Sequence, residues 1–284
     1  MKVLLTGANG QLGTCFKERL PEGWSVWATD TANLDITNQD SVLTAVRAFK
    51  PNIIVNAAAF TAVDQAETNL ELANLVNNIG PKNLALAAKE THARLIHVST
   101  DYVFDGEAKV PYKELDETNP LSVYGKTKLD GEISTLEVLP QAIIVRTAWV
   151  FSEYGNNFLK TMLRLASEHD ALNIVSDQRG CPTYAGDIAN SIISLIQNEV
   201  EGGVYHYCGD KEVSWHGFAE EILTTAARLN KIRKIPSLNA ITTEQYPTPA
   251  RRPAFSTLDM TKIKKIGVVP SDWIKAINYI LLKL

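Results

Sequence analysis

Cysteine is scarce. Cys15, Cys181 and Cys208 are the three in 284 residues, odd in number and far apart, which excludes a disulfide framework or a metal-ligand pair and predicts buried free thiols. Long apolar runs are missing too, none approaching the ~20 residues that a membrane helix requires. The opening MKVLLTGANG is apolar for only a few residues before glycine interrupts it, unlike the longer apolar region of a secretory leader. Together these absences lead us to expect a cytoplasmic protein without a membrane partner. Positive charge is not in excess: 28 Lys and Arg against 32 Asp and Glu leave a formal net charge of −4, which offers nucleic acid no general attraction. With 45% hydrophobic and 21% charged residues the composition is that of a soluble globular protein, and neither disorder nor a fibrous repeat is indicated.

What is present is alternation. Short apolar runs at Lys2–Leu5, Ser25–Thr29, Ile53–Ala57, Arg94–Val98 and Ile143–Arg146 are separated by helix-compatible stretches at Gly13–Leu20, Gln39–Lys50, Asn69–Thr91 and Ser122–Leu136. That order predicts an α/β fold, a Rossmann-like doubly wound parallel sheet, because strands apolar along their whole length suit a sheet covered on both faces. The composition shifts near residue 150, so residues 1–150 are expected to form a dinucleotide-binding domain. Residues 151–284 are expected to form mainly a smaller interleaved α/β substrate lobe, with some segments returning to the first domain. Helices are expected over Gly186–Asn198 and Trp215–Leu229, a strand at Val204–Cys208, and an extended loop at QYPTPARRP (245–253), where each proline removes a donor and biases its predecessor away from helix.

Directly after the first strand comes TGANGQLG, which spaces Gly7, Gly10 and Gly13 at three-residue intervals. Glycine allows a tight turn and lets backbone N–H groups approach a pyrophosphate at the positive end of the next helix. The spacing departs from G-x-G-x-x-G, but a preceding strand and an acid at the end of the second strand favour dinucleotide binding over a plain turn. That acid is Asp30, twenty residues beyond Gly10, placed to receive a ribose 2′-hydroxyl and to disfavour a 2′-phosphate. Asp35 and Ile36 are expected to border the adenine. NAAAF at Asn56–Phe60 suits either the passage of a backbone beside a flat ligand or a tight strand–helix contact.

Tyr124 and Lys128 lie four apart in a helix-compatible segment, a spacing that puts both on one helical face. A tyrosine of pKa ~10 is a poor acid–base group at neutral pH, and an adjacent ammonium is expected to lower that value. By spacing alone the pair more readily decorates an exposed helix. Ser99 and Thr100 end the fourth strand, where open α/β sheets place their ligands, and a hydroxyl there can meet a developing oxyanion. Trp149, at the end of the fifth strand, could stack on a sugar or base or lie in the core. Arg251 and Arg252, flanked by prolines, suit a diphosphate clamp or, for at least one of them, an exposed basic turn; Arg252 is the one expected at the substrate, although spacing does not tell which of the two points inward.

The order TGANGQLG, NAAAFTAVD, STDYVFDG, YGKTK resembles the extended short-chain dehydrogenases/reductases. The strings RTAWVF, GNNFLKTMLRLA, DQRGCPT and YPTPARRP resemble the dTDP-4-dehydrorhamnose reductase family within it, through nearly the whole chain. The resemblance implies an NADPH- or NADH-dependent reduction of a nucleotide-linked 4-keto-6-deoxy sugar. It also implies a catalytic triad of Thr100, Tyr124 and Lys128, with Lys128 holding the nicotinamide ribose. Cofactor contacts are implied at Asn9 to Leu12 (Gly10 and Gln11 between them), Asp30, Asp35, Ile36 and Ala59 to Thr61 (Phe60 between them), and substrate contacts at Thr100, Asp101 and Trp149. Dehydratases of the superfamily carry glutamate after the Thr-Asp pair, where this chain has Tyr102; that departure argues against dehydration. Retention of the triad argues against a purely regulatory, NADP-binding subunit. Some family members bridge a dimer through Mg²⁺, but the matching positions here are Cys15 and Gly186, so no metal site is expected and the chain is expected to be a monomer or weak homodimer.

Overall fold

The computed structural model describes all 284 residues. Five strands, β1 (Lys2–Thr6), β2 (Ser25–Thr29), β3 (Ile53–Asn56), β4 (Arg94–Thr100) and β5 (Ile143–Thr147), alternate with α1 (Gln11–Glu18), α2 (Gln39–Phe49), α3 (Val63–Ala66), α4 (Leu70–Asn74), α5 (Gly80–Thr91) and α6 (Val123–Val138). The second half adds β6 (Val150–Phe151), α7 (Phe158–Glu168), β7 (Ala171–Val175), β8 (Arg179–Gly180), β9 (Thr183–Tyr184), α8 (Ala185–Gln197), β10 (Gly203–His206), β11 (Val213–Ser214), α9 (Trp215–Arg228), β12 (Ser237–Ile241), α10 (Thr261–Lys264) and α11 (Trp273–Lys283). A six-stranded parallel sheet runs β10-β5-β4-β3-β1-β2. No helix is long and apolar enough to cross a membrane.

The strands are apolar throughout because alternate residues face different helical layers. Val3, Leu5, Val55 and Val145 meet Phe16 of α1 and Ile188 and Ile192 of α8. Leu4, Ile54 and Leu95 meet Val42 and Val46 of α2 and Leu84 and Ala88 of α5. Each of these buried Val, Leu and Ile side chains contributes roughly 1.5–3 kcal/mol. A third apolar cluster, including Phe151, Leu159, Phe218, Ile222 and Ile277, packs α7, α9 and α11. Around it lie three two-stranded pairings, β12 with β7, β6 with β9 and β11 with β8, which are too short or too polar to announce themselves in the sequence. β10 and α8 return from the second half to the main sheet and its α1 face. All three cysteines are free and buried.

The segment expected to be one helix from Asn69 to Thr91 is broken. One π-helical turn, Leu75–Ile79, separates α4 from α5. Asn77 lies inside this turn: its Nδ2 donates to the Phe60 carbonyl (3.1 Å) and to Thr127 Oγ1 (3.2 Å), and its Oδ1 accepts from Phe60 N–H (2.8 Å). The wider turn aims a polar side chain at the loop after β3, a common use of a π-bulge.

Candidate active site

A cleft of about 810 Å³ opens along the carboxyl ends of β1 to β5, within the size range of ligand sites. At its floor is the turn between β1 and α1. Gly7 has φ 70°, and a Cβ on Gly13 would lie 2.3 Å from the Gly7 carbonyl oxygen, so only glycine lets α1 start this close to the strand. Gly10 is the N-cap of α1 and provides no side-chain cap, which leaves the first N–H groups of that helix directed at the cleft. A Cβ on Gly10 would meet nothing closer than 3.4 Å; this side of the turn is open.

Gly7, Asn9, Gly10, Gln11 and Leu12 line this end of the cleft, with Asp30, Asp35 and Ile36 beside them. Asp30 Oδ2 accepts from Asn9 Nδ2 at 2.5 Å, while Oδ1 accepts from the Ala32 and Asn33 N–H groups and from Asn33 Nδ2. The carboxylate is thus fixed at the end of β2. Asn83 of α5 donates to the carbonyls of Ile36 (2.9 Å) and Thr37 (3.1 Å), holding the opposite rim. Gln11 Oε1 accepts from Ser152 Oγ (2.8 Å) and Asn157 Nδ2 (2.9 Å), tying the glycine turn to the loop between β6 and α7. Ala59 and Thr61 line the cleft where the loop after β3 passes.

Tyr124 and Lys128 enter from α6. Ser122 caps that helix, its Oγ accepting from Gly125 N–H at 3.1 Å, and a Cβ on Gly125 would lie 2.2 Å from the Tyr102 carbonyl oxygen; the helix can approach β4 only with glycine there. Both side chains line the cleft with Ser99, Thr100 and Asp101. Burial pushes the Tyr124 phenol up to about 12, the Asp101 charge adds to this, and a hydrogen bond with Thr100 works against it. The expected lowering by Lys128 is not found, because Lys128 points elsewhere: its Nζ donates to the Val98 carbonyl at 2.6 Å. Burial brings the Lys128 ammonium down to about 8, opposed by the charge of Glu132.

The two strand-end hydroxyls separate in role. Ser99 Oγ donates to Glu132, which also accepts three bonds from the Arg146 guanidinium. Thr100 Oγ1 donates to Asp101 Oδ1 (3.0 Å) and accepts from Tyr102 N–H (3.2 Å). Asp101 is buried, its Oδ2 has no partner, and burial raises its carboxyl to about 6. Tyr102 stands edge-on to Tyr124, ring centroids 5.6 Å apart.

Trp149 has φ 45°, a left-handed conformation costing of order 1–3 kcal/mol. Its indole stacks on Trp215, at 3.6 Å between centroids and 6° between planes, and both rings line the cleft. Sequence reasoning missed Trp215, whose position at the start of α9 carries no motif. It also missed Asn77, although two adjacent asparagines inside a helical run are a signal, since asparagine favours caps and turns.

Three expected contacts do not stand on the cleft wall. Gly13 lies behind the turn, where its lack of a side chain serves packing. Phe60 presents its backbone to Asn77. Arg252 gives its fork to Asp64, with Nη1 at 3.0 Å from Oδ1 and Nη2 at 2.7 Å from Oδ2, the bidentate geometry that guanidinium and carboxylate share. Arg251 is exposed.

Comparison with known proteins agrees over the whole length. The family model described as RmlD substrate binding domain matches residues 1–284. The dTDP-4-dehydrorhamnose reductase of Aggregatibacter actinomycetemcomitans is 48% identical over 287 aligned positions, covering 98% of each chain. A dTDP-4-dehydrorhamnose reductase structure from Clostridium acetobutylicum superposes with a TM-score of 0.93 at 42% identity, covering all of both chains. The Bacillus anthracis reductase in complex with NADP superposes with a TM-score of 0.93 at 36% identity, covering 100% of this chain and 99% of that one. By sequence and by structure, the chain belongs to the dTDP-4-dehydrorhamnose reductase family.

Proposed function

We propose that this protein reduces the 4-keto group of dTDP-4-dehydro-L-rhamnose to give dTDP-L-rhamnose, using NADPH or NADH, in the cytoplasm. The observation that carries this reading is the meeting of Thr100, Tyr124 and Lys128 on the wall of a cleft whose far end is the uncapped start of α1. A dinucleotide would fit there: the α1 N–H groups would receive its diphosphate, and Asn9, Asp30, Asp35 and Ile36, which line that end of the cleft, would hold its adenosine half. When bound, the reduced nicotinamide supplies the hydride.

The chain's own residues do the rest. Tyr124 retains its proton across neutral pH and gives it to the sugar O4. Thr100 turns its O–H from Asp101 to the same oxygen and stabilises the charge that develops there. Lys128 would hold the nicotinamide ribose, and its ammonium is the source of the proton that restores the phenol. Trp149 and Trp215, stacked on each other, line the part of the cleft that would take the sugar or base. Tyr102 fills, with a ring against Tyr124, the place where elimination of water would need a second acid–base group.

The test is to follow loss of nicotinamide absorbance with dTDP-4-dehydro-L-rhamnose and each cofactor, then with the UDP analogue. Asp30 disfavours a 2′-phosphate by charge, but the Bacillus anthracis reductase, 36% identical to this chain, is in complex with NADP. Both cofactors are therefore expected to work within about 100-fold of each other in kcat/KM, or about 2.7 kcal/mol. A larger preference contradicts dual use, and no turnover with either contradicts the assignment.

No Mg²⁺ bridge is proposed between subunits. Position 15 is a buried thiol that burial raises to about 12, and a Cβ at Gly186 would lie 2.4 Å from the Arg19 guanidinium. A thiol and a nearby cation are poor surroundings for a hard dication. Sedimentation is expected to give a monomer or weak dimer unchanged by EDTA; a dimer that EDTA dissociates overturns this.

A further inference from the structure

Behind Lys128 a line of buried polar groups crosses the sheet. Thr6 Oγ1 on β1 donates to Asn56 Oδ1 on β3 at 2.7 Å, and the Ala58 N–H donates to the same oxygen at 3.1 Å. Asn56 Nδ2 stands 2.9 Å from His97 Nδ1 on β4, and His97 Nε2 stands 3.4 Å from Lys128 Nζ. Thr6, Asn56 and His97 are no more than 1% exposed, so bulk water does not compete for their donors and acceptors.

The donor count along this line has one solution. Ala58 N–H can only donate, so the Asn56 oxygen faces it and the amide nitrogen faces His97. An amide nitrogen can only donate, so His97 Nδ1 must accept. A neutral imidazole accepting at Nδ1 carries its proton on Nε2, and that N–H points at Lys128. Burial, reinforced by the nearby lysine, keeps His97 neutral.

We propose that Asn56 and His97 are positioning residues that control the protonation of Lys128, by holding His97 as the tautomer whose Nε2–H faces the lysine nitrogen. This rests on the reductive role given to Lys128 above. As an ammonium, Lys128 opposes one of its N–H bonds to that of His97; as an amine, it accepts the His97 proton donor with its lone pair while still donating to Val98. The other ionisable groups facing it from α6 are Glu132, held by Arg146 of β5, and Tyr124. Because the ammonium is disfavoured on one side, it gives a proton readily: after Tyr124 protonates the sugar oxygen, Lys128 loses one N–H proton and the phenolate regains one, relayed across the cleft that both side chains line. A neutral amine is left, which solvent reprotonates once product leaves.

Two measurements test this. In protein labelled with ¹⁵N at histidine, His97 is expected to show the Nε2–H tautomer across neutral pH. An Nδ1–H tautomer or an imidazolium overturns the proposal whether or not the protein is a reductase. The second uses Asn56→Asp. An aspartate oxygen in place of the amide nitrogen accepts from His97 Nδ1–H, turns Nε2 into an acceptor, and favours the Lys128 ammonium. The Lys128 pKa, read from its ¹³Cε shift, is expected to rise by about one unit or more. The basic limb of the kcat profile, where reduction falls as pH rises through that pKa, is expected to move up with it. A kcat lowered equally at every pH, with the Lys128 pKa unmoved, reduces Asn56 to a structural role and overturns the proposal. Should Asn56→Asp not fold, the wild-type tautomer decides alone. Absence of reductase activity with both NMR results as expected would refute the function and leave the assignment of Asn56 and His97 standing.

Discussion

Tyr124→Phe is expected to lower kcat by roughly 10²–10⁴-fold, the range for loss of a positioned proton donor, while dinucleotide affinity changes by no more than a few-fold. The phenol is buried and pushed up to about 12, so at neutral pH it holds the proton that the proposed mechanism gives to the substrate oxygen. Phenylalanine keeps the edge-on contact with Tyr102 and the start of α6, which Ser122 caps independently. Nothing at the glycine turn or at Asp30 touches the ring that is changed. Steady-state turnover and a fluorescence titration with NADPH separate the two effects. Retention of more than half the wild-type kcat would remove Tyr124 from the proton-donor role, and loss of cofactor binding would mean that the phenol hydroxyl holds the site together rather than performing chemistry in it.

The largest effect on stability is expected from Arg146→Leu, which should cost about 3–5 kcal/mol and lower Tm by roughly 10 °C. The Arg146 and Glu132 side chains are 5% and 3% exposed. The guanidinium gives the carboxylate three bonds and lies over the Phe104 ring, so removing it strands an ionised group with only Ser99 for a donor. The penalty is that of an uncompensated buried charge rather than the net worth of the pair. Arg146→Met with Glu132→Leu should therefore be more stable than Arg146→Leu alone. Urea denaturation of the three proteins measures this; a cost below about 1 kcal/mol for Arg146→Leu would show that water reaches Glu132.

Much of the scaffold was legible in the chain because it depends on local rules. Apolar runs between helical stretches yield β1 to β5 to within about two residues, and a glycine turn after a strand places a helix start at the cleft. The second half was less legible. β6, β8, β9 and β11 are two residues long, too short for any alternation to show. The π-helical turn was also hidden, since it answers to the loop after β3, not to its own neighbours.

The sequence by itself determined the sheet, the glycine turn, and the presence of Thr100, Tyr124 and Lys128 in an order that suits ketone reduction. Only the tertiary structure decided which groups those residues touch. It gave Ser99 to Glu132 and Thr100 to Asp101, committed Arg252 to Asp64, stacked Trp149 on a tryptophan 66 positions away, and turned Lys128 toward Val98 and His97. The physical reason is that helices and strands follow from periodicity among near neighbours, whereas a proton's affinity follows from burial and from donors and acceptors brought together across the sheet. Asn56 and His97 lie 41 residues apart, and no pattern within either strand tells which nitrogen faces the lysine.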